Sequence, residues 1–160
     1  MPSKSKVCFF FEDHRIALTQ RTRLKNFVNL IFKKEKRPLH SLNYVFCTDE
    51  RVLEINRLYL KHDFYTDIIT FDLSDSPETT GEVYISLDRV RDNAKSLNVP
   101  IRTELLRVIF HGALHLCGYK DKTKKDEALM RQKEEEYLLL FKSFTWNRGL
   151  VPRFCFHVEH

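Results

Sequence analysis

Two short segments alternate between apolar and polar residues, and they set the strongest limit on how this chain can fold. In TDIITFDL (66–73), Ile69, Phe71 and Leu73 fall on one face while Ile68, Thr70 and Asp72 fall on the other. In GEVYISL (81–87), Val83, Ile85 and Leu87 face one way and Glu82, Tyr84 and Ser86 the other. A period of two is the signature of a half-buried β-strand. The stretch between them, SDSPETTG, is turn chemistry. The chain therefore contains a sheet, and a sheet must cover its apolar face with another layer.

Helical patterns supply that layer. Residues 15–36 carry Ile16, Leu24, Phe27, Leu30 and Ile31 near helical spacing and are read as a helix, which Pro38 ends. Thr48 is suited to cap a helix running to about residue 61, with Asp49 and Glu50 in its first turn. Further helices are expected over 88–97 and from Pro100 to about Cys117, where Gly118 stops it. Thr123 and Asp126 resemble a capping box for a last long helix. VCFFF (7–11) and SLNYVFC (41–47) read as two more strands. The expected order is strand, helix, strand, helix, strand, strand and three helices, an α+β domain over residues 1–145 followed by a tail at 146–160.

Size and composition agree. A chain of 160 residues suits one core, and 42% apolar residues, thirteen Phe among them, are enough to close it. No apolar run approaches a membrane span, and the N-terminus lacks the form of a signal peptide. Cytoplasmic location is expected, and no membrane partner. Cys8, Cys47, Cys117 and Cys155 are scattered, so reduced thiols are expected rather than disulfides. The charge is uneven. Residues 1–40 hold ten Lys or Arg against three acids, and the remainder 17 against 19. Such a basic third can be an ordinary solvated face or a surface for phosphate backbones.

The segment HGALHLCGYKD (111–121) carries the chemistry. His111 and His115 lie four apart and so share one face of a helix. Two imidazoles so placed reach one ion at the roughly 2.0–2.1 Å of a zinc–nitrogen bond. Gly118 can adopt a positive φ and turn the chain back. Asp121 can then offer a carboxylate oxygen as third ligand. Three protein ligands with a position left for water mark a catalytic zinc rather than a structural one. The spacing His-x-x-x-His-x-x-Gly-x-x-Asp also resembles the metzincin metalloproteases, with one departure. Their general base is a Glu directly after the first His, and here Gly112 stands there.

Three segments together resemble the YbeY endoribonucleases. HGALHLCGYKD is similar to the family's His-Gly-x-Leu-His-Leu-x-Gly-Tyr-Asp-His. NRLYLKHDFYTDIITFDL is similar to Asn-x-x-Tyr-Arg-x-x-Asp-x-Pro-Thr-Asp-Val-Leu-Ser-Phe, and GEVYISLD to a Gly-Asp-Ile-x-Ile strand. The resemblance covers about residues 40–140. It implies a mixed sheet packed with helices, zincin-like in character. It further implies one zinc held by His111, His115 and Asp121, cleavage of single-stranded RNA, and a role in maturing the 3′ end of small-subunit ribosomal RNA and in ribosome quality control. Ribosomal RNA and the small ribosomal subunit are the implied partners.

The departures are specific. Asp121 stands where the signature has His, and its negative charge should lower the Lewis acidity of the metal. Leu60 stands at the family's Arg position, and Tyr65 at its Pro. Lys61 and Lys120 are candidates to substitute for that Arg, and Lys120, Lys122, Lys124 and Lys125, which flank Asp121, either grip RNA phosphates beside the metal or form the solvated start of a helix. Glu82, Asp72 and Asp67 are candidates for a general base. Cys117 is expected as a buried thiol, and Tyr119 either stacks on a base or packs the turn. Two rival functions remain. One is a metallopeptidase-like hydrolase, against which Gly112 argues. The other is a non-catalytic ribosome-assembly module whose zinc is structural.

Overall fold

The computed structural model describes residues 5–62 and 65–144; the expected tail at 146–160 lies outside them. The element order is β1 (Val7–Phe11), α1 (Arg21–Lys34), β2 (Leu39–Cys47), α2 (Asp49–Ile55), β3 (Ile68–Asp72), β4 (Thr79–Ser86), α3 (Leu87–Leu97), α4 (Ile101–Leu116) and α5 (Lys124–Ser143). This is the expected α+β order. The four strands form one mixed sheet in the order β1-β2-β4-β3. β1 and β4 run parallel to β2, and β3 runs antiparallel to β4 as the outer strand.

The two faces of the sheet are covered differently, and the alternating residues decide which is which. Val83 and Ile85 of β4 join Leu42, Tyr44 and Phe46 of β2 in the main core with α1, α4 and α5. Ile69, Phe71 and Tyr84 turn to the opposite face and pack with Cys47, Val52 and Ile55 of β2 and α2. α4 is the central helix, and ten of its sixteen residues are buried. The buried Tyr44 hydroxyl donates to the Ile109 carbonyl at 2.8 Å and ties α4 to the sheet.

The caps follow the sequence. Thr48 accepts from the Arg51 amide, Thr123 from the Asp126 amide, and Ser86 from the Arg89 amide. One boundary differs. α1 begins at Arg21 rather than near residue 15. Arg15 is held instead by the buried Asp13, through Nη2–Oδ2 at 2.6 Å, and by Asp88 of α3 at 2.7 Å. Those ion pairs hold 13–15 against the start of α3, and Gln20 at φ 56° redirects the chain into the helix. The helix expected to reach residue 61 keeps helical form but widens into a π-turn over Asn56–Leu60, ending at Lys61 with φ 54°.

Candidate metal centre

α4 ends in a Schellman motif that the sequence dictates. The Tyr119 amide donates to the Leu114 carbonyl and the Gly118 amide to the His115 carbonyl, each at 3.0 Å. Gly118 takes φ 106°, open to glycine because it has no Cβ. The chain reverses over 118–120 and brings Asp121 back beneath the His pair.

The three candidate ligands meet there. Asp121 Oδ2 lies 3.2 Å from His115 Nε2 and 3.4 Å from His111 Nε2. The two rings stand nearly perpendicular, at 76°, with centroids 4.9 Å apart. For bonds of roughly 2.0–2.1 Å, two ligands of a tetrahedral zinc lie about 3.3 Å apart, so both distances fit one ion. Among the described residues, this is the one group of three His, Cys, Asp or Glu side chains that can hold a metal. Two imidazoles and a carboxylate suit zinc and leave room for a further ligand.

The group sits in a cleft of about 870 Å³ between the outer strand and two helices. Thr66, Asp67, Ile68, Thr70 and Asp72 form one wall, α4 the floor and α5 the other wall. Two of the candidate bases, Asp67 and Asp72, therefore line the site. Glu82 does not. It shares the opposite face of β4 with Tyr84, whose hydroxyl donates to it.

The expected RNA contacts are only partly placed as foreseen. Lys61, Lys120 and Lys122 are exposed, but none lines the cleft. Lys124 and Arg131 do, from α5. A spacing of seven residues puts both on one helix face, which a reading of the segment as a plain solvated helix does not distinguish. The basic N-terminal third is also elsewhere. In α1, the Arg21 guanidinium lies over the Phe11 ring at 4.3 Å, and that of Arg23 over the Phe141 ring at 3.9 Å. Leu60 is surface-exposed, and Tyr65 lies under the Arg89 guanidinium at 4.9 Å. Tyr119 packs the turn, its hydroxyl donating to Glu35 at 2.7 Å. Cys117 is buried, which pushes its thiol up to about 12.

Sequence reasoning missed Glu134. Its carboxylate is buried on α5 and lies 2.6 Å from His111 Nδ1. No motif marks it, because the pairing depends on how α5 crosses α4. Burial works against a charge on His111, yet the bond to Glu134 and its charge outweigh burial and hold its pKa above the ordinary value.

Gly112 has a packing reason. A Cβ there would stand 3.0 Å from Val83 Cγ1 and 3.2 Å from Ile68 Cδ1. The helix backbone rests on the sheet where a metzincin carries its general base.

A four-stranded mixed sheet, a His pair on its central helix and an acid after a glycine turn define a zincin-like α+β protein with a cleft whose side chains could hold a metal. The sequence profile described as Endoribonuclease YbeY matches residues 10–142, and the chain belongs to that family. It is 49% identical over 141 residues to the Endoribonuclease YbeY of Cytophaga hutchinsonii, covering 87% of this chain and 99% of that one. It is 48% identical over 124 residues to that of Flavobacterium psychrophilum, covering 78% and 89%. The solution structure of TM1509 from Thermotoga maritima is similar at a TM-score of 0.54 and 26% identity, covering 82% of this chain and 86% of that one. No helix among the described residues is long and apolar enough to cross a membrane.

Proposed function

We propose that this chain is an endoribonuclease that cleaves single-stranded RNA with one zinc held by His111, His115 and Asp121. Its substrate is the 3′ region of small-subunit ribosomal RNA, in the cytoplasm and in association with the small ribosomal subunit. The observation that carries the chemistry is the convergence of three donor atoms, at 3.2 and 3.4 Å, on the floor of an open cleft. The substrate is carried by family membership.

The bound ion would supply Lewis-acid polarisation of the scissile phosphate or of a water. The protein supplies the rest. Lys124 and Arg131 offer positive charge to the phosphates flanking the break. Asp67 and Asp72 line the opposite wall, and either would accept a proton from the attacking hydroxyl as general base. Product ends identify that hydroxyl: a 2′,3′-cyclic phosphate points to the RNA's own 2′-OH, a 5′-phosphate with a 3′-OH to water.

The rival readings fare worse. A metallopeptidase needs a base at position 112, where the backbone packs on Val83 and Ile68. A structural zinc is normally closed by four protein ligands, whereas the Asp121 side chain here is 42% exposed to an open cleft.

The test is cleavage of single-stranded RNA by metal-quantified protein, wild type against His115→Ala, with zinc restored after chelation. Cleavage should follow zinc and vanish in a folded His115→Ala variant. Cleavage that survives the substitution, or full zinc occupancy with no cleavage of ribosomal RNA, rejects the proposal.

A further inference from the structure

His111 has a fixed partner at its second ring nitrogen as well as at the one that faces Asp121. A carboxylate only accepts hydrogen bonds, so the 2.6 Å contact with Glu134 Oε2 places the proton on His111 Nδ1. That leaves the lone pair on Nε2, the nitrogen facing Asp121. Glu134 is itself fixed. Its side chain is 4% exposed, and its other oxygen accepts from Arg107 Nη1 at 3.1 Å. Arg107 in turn donates through Nε to Glu104 Oε1 at 2.8 Å and through Nη2 to Oε2 at 2.5 Å. The Glu104 side chain is fully buried. Glu104, Arg107 and His111 lie at i, i+3 and i+7 of α4 and so share one face, onto which α5 lowers Glu134.

The charges along this chain do not cancel. Two carboxylates face one guanidinium, and the excess negative charge rests against the imidazole. Burying unbalanced charge is costly unless an opposite charge lies nearby. A cation at Nε2, across one aromatic ring, is such a charge.

We propose that Glu134 is a positioning residue for the metal centre. It locks His111 in the Nδ1–H tautomer with Nε2 aimed at the ion, and Arg107 and Glu104 hold it in place. This rests on the metal-binding reading above, and it assigns Glu134 no contact with RNA. A histidine ligand backed by a carboxylate typically loses about 10–100-fold in metal affinity when that partner is removed.

The experiment has two arms, neither of which uses RNA cleavage. First, zinc affinity is measured by chelator competition for wild type, Glu134→Leu and Glu134→Gln, with folding checked by circular dichroism. Leu keeps most of the volume and leaves Arg107 its partner Glu104. Glu134→Leu should bind zinc about 10–100-fold more weakly. Glu134→Gln should recover part of that loss, since an amide oxygen can still accept from Nδ1. Equal affinity in all three folded proteins overturns the proposal. Second, long-range proton–nitrogen NMR of metal-free wild type near pH 8.5 should show His111 as the Nδ1–H tautomer. An Nε2–H tautomer overturns the proposal whether or not any variant folds. Wild type that binds no zinc while His111 remains Nδ1–H overturns the metal reading, and the positioning role with it, and leaves only the tautomer assigned to Glu134.

Discussion

Gly118 joins the stability of the fold to the geometry of the site, and Gly118→Ala separates the two. At φ 106° the residue lies outside the regions open to a side chain. Holding alanine in so sparsely populated a conformation costs about 1–3 kcal/mol. An added Cβ would also stand 2.9 Å from Arg37 Nη2, the movable end of a long side chain, which can shift at little further cost. Two bonds of the turn are at stake, Tyr119 to Leu114 and Gly118 to His115. With a urea slope of about 2 kcal/mol/M, the midpoint should fall by roughly 0.5–1.5 M. Because Asp121 is placed by this turn, zinc affinity should fall as well, while the His pair on α4 stays where it is. Urea denaturation of metal-free protein and chelator competition on folded protein measure the two effects. An unchanged midpoint would refute the argument from backbone strain. A lowered midpoint with unchanged zinc affinity would show that the turn does not govern Asp121.

Two further substitutions follow. Glu35 accepts from Tyr119 at 2.7 Å and from Tyr137 at 2.5 Å; burial works to raise its pKa, but those hydroxyls and Lys133 outweigh it and hold it below the ordinary 4.5. A depressed carboxyl contributes stability above its unfolded value, and that contribution is lost as pH falls through the folded value. Glu35→Ala should therefore cost about 1–3 kcal/mol at pH 7, with the gap to wild type narrowing below pH 4.5 in thermal melts; a gap independent of pH contradicts the assignment. Gly112→Glu should lower stability by about 1–3 kcal/mol through overpacking against Val83 and Ile68, and should give no casein hydrolysis. Measurable peptidase activity in that variant would show that the position faces the cleft after all.

Local chemistry explains how much of this was legible from residues alone. Alternation at 66–73 and 81–87 named both strands of the hairpin, and the Thr48 and Thr123 caps form as expected, because caps and pleats are decided within a few residues. His111, His115, Gly118 and Asp121 were readable for the same reason. One helix turn aligns the imidazoles, and one glycine returns the chain. The early start expected for α1 was wrong because Arg15 finds its partners in Asp13 and in Asp88, the latter 73 residues away.

What the sequence determined by itself was the composition of the candidate centre: which side chains can converge, in which order, with a turn able to gather them. What only tertiary structure decided was everything that reaches it from other elements. The crossing of α5 over α4 delivers Glu134 to His111 and turns Lys124 and Arg131 toward the cleft. The face of β3 turns Thr70 and Asp72 to the site, the segment leading into β3 brings Asp67 there, and the face of β4 keeps Glu82 away from it. The physical reason is range. Ligand spacing and helix termination depend on neighbours within about one turn. Which faces of distant helices and strands meet depends on burying the whole apolar surface at once, and no short segment contains that information.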